Sequence, residues 1–382
     1  MNGAKDIRSY GYKVGSIPCG KANLITDVPG VKVGHCTVEE NGHKTGVTAV
    51  IPCDGNVFVK KPVASVFTLN GYGKTAGTIQ IEELGVIETP ICLTNTLNVG
   101  KVSDALVEYT IQKCAGDHIK VRSINPVVGE TNDSLINPIQ ERAVEVHHVI
   151  QALESASEAF EQGCVGAGRG TVCCGLKGGI GSSSRVLDFA GKTYTLGALV
   201  QSNFGRMEDL MICGQPVGNR IAQELHPKNS KDEGSIMIII GTDIPLSARQ
   251  LKRVLKRAAV GLVRTGSYMG HGSGDVFIGF TNENYLPAAG KEKLLSISCF
   301  PEDRLDLVFR MAAESVEEAI CNSLIYAHQE TGVDGKFIIV SANFCQSVFE
   351  KGFLQDVRHN LWRILRRDLV PVPSKRILKT GV

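Results

Sequence analysis

The sequence lacks most of the features that mark specialised classes of protein. Charge of one sign is absent: 41 Lys and Arg face 39 Asp and Glu, a net of +2, so neither nucleic acid nor an anionic membrane surface meets a complementary field. No apolar run approaches the roughly 20 residues a spanning helix needs. Residues 1–15 alternate polar and charged positions without the apolar segment of a signal peptide. The expectation is a cytoplasmic chain whose partner is small. Twelve cysteines include no Cys-x-x-Cys pair, and adjacent Cys173 and Cys174 sit in a glycine-rich, apolar setting, which favours reduced, buried thiols. His147-His148 has no His-Glu-x-x-His frame, so no metal and no cofactor are expected. Also missing are Pro- or Ser-rich tracts, blocks of like charge and any clear repeat of 20–50 residues. With no linker to divide it, the 382-residue chain reads as one large domain.

What is present centres on Asp232-Glu233-Gly234-Ser235-Ile236-Met237-Ile238-Ile239-Ile240, a polar turn that enters an apolar strand closed by Gly241. The apolar run is too short for a helix and rich in β-branched residues, which predicts a strand buried on both faces. A serine at the mouth of such a strand is held rigidly. Gly234 can take backbone angles closed to other residues, which would let the peptide bond before Ser235 be strained until the hydroxyl attacks the carbonyl of residue 234. That attack cuts the chain. Ser235 becomes a new N-terminus, with its hydroxyl as nucleophile and its freed α-amine, of pKa about 8, as a built-in base. Taken alone, a Gly-Ser ahead of a strand is usually only a turn.

Other strands also end in polar clusters. Residues 66–69 run into Asn70-Gly71-Tyr72-Gly73, whose glycines permit close approach of a ligand or of another strand. Ile91-Cys92-Leu93 leads to Thr94-Asn95-Thr96, which either faces a site or caps the helix expected at 103–114. Pro126-Val127-Val128-Gly129 leads to Glu130-Thr131-Asn132-Asp133; a carboxylate there could anchor a substrate ammonium or simply be a loop glutamate. The apolar spacing of 142–162 predicts one helix stopped by Gly163. Residues 163–181 are dense in glycine but lack the Gly-Lys-Ser or Gly-Lys-Thr end of a phosphate loop, so close backbone packing or a pocket wall ranks above nucleotide binding. The strand at 194–202 ends at Asn203, whose amide could donate to a developing oxyanion or stabilise a turn. Ser247 caps an amphipathic helix with Lys252, Arg253, Lys256 and Arg257 on its solvated face. Residues 268–275 form a glycine-rich loop offering His271, Ser273 and Asp275 for proton relay, ahead of a strand at 276–280. No Gly-x-Ser-x-Gly elbow accompanies His271, and an N-terminal serine would not need it. A further helix is expected at 304–327 and a late strand at 337–340.

These stretches, in this order, resemble the family of D-aminopeptidase DmpA and the bacterial β-aminopeptidases, self-processing hydrolases of N-terminal-nucleophile type. The likeness runs over about residues 20 to 350. It is carried by Asn23-Leu24-Ile25-Thr26-Asp27-Val28-Pro29-Gly30-Val31, Val33-Gly34-His35, Leu93-Thr94-Asn95-Thr96, Pro126-Val127-Val128-Gly129-Glu130-Thr131, Lys177-Gly178-Gly179-Ile180-Gly181, Asn203-Phe204-Gly205, Gly234-Ser235-Ile236 and Gly272-Ser273-Gly274-Asp275.

The resemblance implies an α/β fold, a four-layer α/β/β/α sandwich shared with ornithine acetyltransferase. It implies a single catalytic domain over 1–350, cut between Gly234 and Ser235 into 1–234 and 235–382, with 351–382 a C-terminal extension that could make an oligomer contact. It gives Ser235 as nucleophile, Asn203 as an oxyanion donor, and Ser273 with Asp275 as tuners of Ser235 and its amine. Glu130 would hold the substrate's free amino group. Some members carry an aromatic residue where this chain has Asn132, a departure that bears on the substrate pocket and not on the nucleophile. The activity implied is release of an N-terminal α-L, D or β amino-acyl residue from small peptides or amides by a homo-oligomer of processed chains. Two competing readings are an acyltransferase of the ornithine acetyltransferase kind, whose nucleophile is threonine, and an unprocessed binding protein.

Overall fold

The computed structural model describes residues 6–225, 234–287, 294–333, 335 and 337–338. In chain order its strands are β1 (Lys32–Val38), β2 (Thr45–Ile51), β3 (Lys60–Gly71), β4 (Ile91–Asn95), β5 (Val127–Thr131), β6 (Val172–Cys173), β7 (Leu176–Lys177), β8 (Gly179–Phe189), β9 (Lys192–Asn203), β10 (Ser235–Thr242), β11 (Gly274–Pro287), β12 (Glu330–Thr331) and β13 (Phe337–Ile338). The helices are α1 (Thr78–Leu84), α2 (Val99–Gly116), α3 (Val146–Glu154), α4 (Val217–Leu225), α5 (Ala248–Arg264) and α6 (Leu305–Ile325). These elements fall in the unit Met1–Ala342; the unit Asn343–Val382, with the expected extension at 351–382, lies outside the described residues.

Two sheets face each other, one ordered β1-β2-β4-β5 and one ordered β3-β11-β10-β9-β8. Strand alternation explains why they stack. Val127 and Leu93 point into the core between the sheets, with Met237 and Ile239 opposite, while their neighbours Val128 and Cys92 point outward against Val102, Leu106 and Val149 of α2 and α3. Helices α5 and α6 cover the second sheet, so the order is helix, sheet, sheet, helix, the four-layer sandwich expected. β10 is central, pairing antiparallel with β9 and parallel with β11, and residues 236–240 are fully buried.

The expected helix over 142–162 is shorter. It ends at Glu154, where Ser155 turns its hydroxyl back to the Ala152 and His35 carbonyls. Ser157 then pairs with Val33 through both backbone groups, and sheet pairing overrides the helical spacing of Ala156 and Phe160. The glycine-rich segment is close backbone packing: a side chain at Gly168 would meet the backbone at Ile180, and one at Gly181 would meet the Ala319 carbonyl in α6.

A buried ionic tie joins α6 to the second sheet. Arg185 is fully buried, its guanidinium donating to Glu318 at 2.7 Å, Glu314 at 3.3 Å and the Val14 carbonyl at 2.8 Å. Asn23 joins it, donating to Glu318 at 2.6 Å and accepting from Ser184 N at 3.0 Å. The first stretch of the family likeness therefore serves architecture here.

His35 gives a prediction about acid stability. The residue keeps some surface, but its ring is hemmed in by Phe160 at 5.8 Å and by the Gly166 backbone, and its nitrogens meet Thr48 Oγ1 at 2.9 Å and the Glu161 carbonyl at 3.0 Å. Burial lowers its pKa from 6.5 to about 4. The fold favours the neutral ring, so this contribution is complete above pH 6.5 and is lost as pH falls toward 4, amounting to roughly 2–3 kcal/mol. Denaturant unfolding from pH 7 to pH 4 should show His35→Gln losing less stability than the parent across that window; parallel curves would refute the assignment.

Candidate active site

Ser235 is the first residue of β10, and register fixes its neighbours: Asn203 lies opposite on β9 and Gly274 on β11. Since Met237 and Ile239 point between the sheets, period two sends Ser235 to the same side. Asn203 shares its face with Leu199 of that core and with Gln201. The hydroxyl and the amide thus meet at one end of the inter-sheet space. Gly274 N donates to Ser235 Oγ at 3.1 Å. Val172 N donates to Asn203 Oδ1 at 2.9 Å, which commits the carbonyl end of that amide and makes its Nδ2 end the outward donor.

Gly234 is needed for a reason other than the one the sequence suggested. Its φ is not positive, but a Cβ there would collide with the Asn203 carbonyl and the Phe204 backbone. Room is what the glycine supplies. Asp232 and Glu233 of the expected polar turn lie outside the described residues.

Ser273 and Asp275 are both buried, and Ser273 Oγ donates to Asp275 Oδ1 at 2.6 Å beside the Ser235 register position. His271 is exposed and lies beside Tyr72 at 6.1 Å. Glu130, at the end of β5, is buried: Lys74 N donates to its Oε1 at 2.8 Å and Thr96 Oγ1 donates to Oε2. The chain from β3 reaches it as a strap. Tyr72 N donates to the Ser273 carbonyl at 3.3 Å, and Ala76 then pairs with Val128 on the edge of the other sheet. Gly73 sits between the two groups: a Cβ there would lie 3.3 Å from Glu130 Oε1, and one on Gly274 would lie 2.7 Å from Gly73 N and 3.0 Å from Ser235 Oγ. Glycines at 73 and 274 bring carboxylate and hydroxyl to opposite sides of one thin strap.

Asn132 does not join this group. It is exposed, and its side-chain carbonyl accepts from Ser134 N at 3.0 Å in a local turn. Asp133 is buried in its place, accepting from Asn137 at 3.0 Å and Asn95 at 3.2 Å; burial pushes its carboxyl up to about 6 despite those donors. The Asn95 side-chain carbonyl also accepts from Asn98 N and so caps the single 3-10 turn Thr96–Asn98 that leads into α2, not the helix itself, whose start at Asn98 has no side-chain cap, while Thr96 turns to Glu130. Lys74 N and Val172 N escaped sequence reasoning because their partners are far away in the chain. His147 and His148 lie together on α3, and among the described residues no cluster of His, Cys, Asp and Glu could hold a metal ion.

A four-layer sandwich with a serine at the mouth of a central strand is the N-terminal-nucleophile hydrolase architecture. The model of peptidase family S58 matches residues 23–338, and the chain belongs to that family. It is 37% identical to the β-peptidyl aminopeptidase BapA of Sphingosinicella microcystinivorans, over 83% of this chain and 84% of that one. Among solved structures it is similar to a Burkholderia sp. β-aminopeptidase, with TM-score 0.83 and 38% identity over 92% of this chain and 100% of that one. The L-aminopeptidase D-Ala-esterase/amidase of Ochrobactrum anthropi, described as a variant of the Ntn hydrolase fold, also has TM-score 0.83, with 33% identity over 90% of this chain and 97% of that one. The protein is a hydrolase of the peptidase kind.

Proposed function

We propose that this chain is a self-processing aminopeptidase and amidase that releases an N-terminal amino-acyl residue from small peptides or amides through an acyl-enzyme on Ser235. The observation that carries the reading is the meeting of Ser235, Asn203 and Gly274 in one backbone register with Glu130 just across Gly73. In the precursor Ser235 Oγ attacks the carbonyl of Gly234; collapse of the adduct breaks the C–N bond between the two residues, which frees the α-amine and leaves an ester, and water then cleaves that ester to give the Gly234 carboxylate and the free Ser235 hydroxyl. In the processed enzyme the hydroxyl attacks the substrate carbonyl while its proton passes to that amine. Asn203 Nδ2 and backbone N–H groups stabilise the oxyanion. The amine protonates the leaving group, and water then releases the acyl residue. Ser273, whose own proton goes to Asp275, keeps lone pairs that can accept from the amine and aim it. Glu130 receives the substrate ammonium, which limits cleavage to the first residue. Among the described residues no helix is long and apolar enough to cross a membrane, and a cytoplasmic homo-oligomer of processed chains completes the reading.

Denaturing mass measurement of purified protein should give pieces of 234 and 148 residues. A panel of L, D and β amino-acyl p-nitroanilides should be cleaved roughly 10- to 100-fold faster than the same compounds N-acetylated, since an ionic hydrogen bond contributes about 1.5–3 kcal/mol. A single uncut mass would favour the binding-protein reading. Acyl transfer to an added amine without release of free acid would favour the acyltransferase.

A further inference from the structure

The stretch Lys177-Gly178-Gly179 belongs to the family pattern, yet the mechanism above leaves Lys177 unused. It is among the largest fully buried side chains of the molecule. A lysine completely removed from water costs several kcal/mol that a methionine of similar volume would not. Burial lowers its pKa, and among the described residues no carboxylate lies within ion-pair distance. Its ammonium instead donates to two backbone carbonyls, Gly178 O at 2.8 Å and Gly168 O at 3.0 Å, and bonds the Cys164 thiol with what remains. Burial alone would raise that thiol, but Lys177 and His328 bring it down to about 7, so the neighbour is suited to balance the ammonium.

The two carbonyls bracket the β6–β7 hairpin. Its turn is tight, with Cys174 at φ 50° and Gly175 at φ 67°, the mirror-image geometry that closes two-residue hairpins. Gly168 O also accepts from Thr171 Oγ1 at 3.1 Å, and Gly178 N donates to the Thr171 carbonyl at 3.1 Å. Gly168, Thr171, Gly178 and the Lys177 ammonium thus form a closed ring of hydrogen bonds at the base of a hairpin only two residues long on each side. The residue that leaves this ring is Val172, and its N–H holds Asn203 Oδ1. A strand pair this short has no stability of its own.

We propose that Lys177, through the hydrogen-bond ring it closes, is a positioning residue that fixes the orientation of the Asn203 amide. It touches neither Ser235 nor substrate. Without the ammonium the base of the hairpin can open, the Val172 N–H moves, and the Asn203 amide is free to rotate its donor away from the oxyanion. A misplacement of about 1 Å at such a donor is enough to forfeit much of its effect. The inference rests on the oxyanion role proposed for Asn203.

The test is a double-mutant cycle on processed enzyme, measured with a free-amine amino-acyl p-nitroanilide. Lys177→Met should lower kcat at least about tenfold with KM within about twofold, because an oxyanion contact is made in the transition state and not in the ground state. Asn203→Ala alone should lower kcat by about a hundredfold or more. In the Asn203→Ala background, Lys177→Met should add less than about twofold, since there is no longer an amide to position. Lys177→Met that is folded and processed but unchanged in kcat, or losses that multiply in the double variant, would overturn the inference while leaving the oxyanion assignment standing. Asn203→Ala with undiminished kcat would instead remove the assignment beneath it. Should Lys177→Met fail to fold, Thr171→Val deletes only the hydroxyl bond to Gly168 O from the same ring. It should give a smaller kcat loss, about threefold, with the same non-additivity; an independent loss there overturns the proposal equally.

Discussion

Replacement of Ser235 by alanine is expected to leave one uncut chain of 382 residues and to reduce turnover by at least about ten-thousandfold. The size of the effect follows from the two successive reactions proposed for the hydroxyl: attack on the carbonyl before it, which would expose the amine, and then attack on the substrate. The fold has little stake in it. Ser235 is held in β10 by backbone pairing to β9 and β11, and its side chain accepts a single bond from Gly274 N among the described residues. Losing that bond costs about 1 kcal/mol, and alanine adds no atom to the inter-sheet space. Uncut material should therefore be folded, with a thermal transition close to that of a parent sample.

The two roles can be separated by supplying the cut in advance. Co-expressed pieces 1–234 and 235–382, the second beginning with alanine, would have the terminus without the nucleophile and should still be inactive, whereas the same pieces beginning with serine should turn over. Full activity in the alanine pair would mean that another group attacks the substrate. Ser235→Cys should fall between, since a thiol at this position is still a nucleophile but a larger one in a space set by Gly274 and Gly73.

The layers of this molecule were legible because their hydrophobic patterns are strong. Residues 236–240 have only one buried solution, and α5 buries six apolar or small residues on one stripe behind a serine cap, so both elements appear where the pattern places them. Where the pattern was weaker, long-range pairing won. The helical spacing after Glu154 is real, but the backbone of Ser157 gains more from Val33 than from another turn of helix. The site divides in the same way. Ser235, Asn203, Glu130, Ser273 and Asp275 each stand at a strand end, a position that sequence can mark. Sequence does not reveal that Ser235 faces Asn203 in register, that the amide is clamped by Val172 N across 31 residues, or that Glu130 is held by Thr96 and by Lys74 N from a strap 56 residues earlier. Those are closures of long loops, decided by how two sheets stack and not by local composition. Gly234 shows the limit most plainly. A glycine before a candidate nucleophile suggests a left-handed backbone, yet its φ is not positive and the constraint is the carbonyl of a residue on the neighbouring strand.

Glu130→Gln is expected to lower kcat/KM for free-amine substrates by roughly 10–100-fold and to leave N-acetylated substrates nearly unaffected, narrowing the preference for a free amino group. Glutamine fits the same space. Its carbonyl can accept from Lys74 N as Oε1 does, and the Thr96 hydroxyl can rotate to accept from the new amide where it now donates to Oε2. The substitution therefore removes charge without leaving a buried group unpaired, and the loss reports on the ammonium. Among the described residues each carboxylate oxygen of Glu130 has one bond from the protein and a second lone pair to offer, so the site is filled enough to be rigid and open enough to accept a cation. An ionic hydrogen bond of this kind contributes about 1.5–3 kcal/mol, which sets the range given. Because the contact is made to bound substrate and transition state alike, most of the loss should appear in KM, with kcat changed by less than about threefold. Self-cleavage should proceed in this variant, since the bond cut in the precursor presents no free amine. An unprocessed Glu130→Gln chain, or equal losses for free and acetylated substrates, would show that Glu130 supports the nucleophile's surroundings and does not read the amino group.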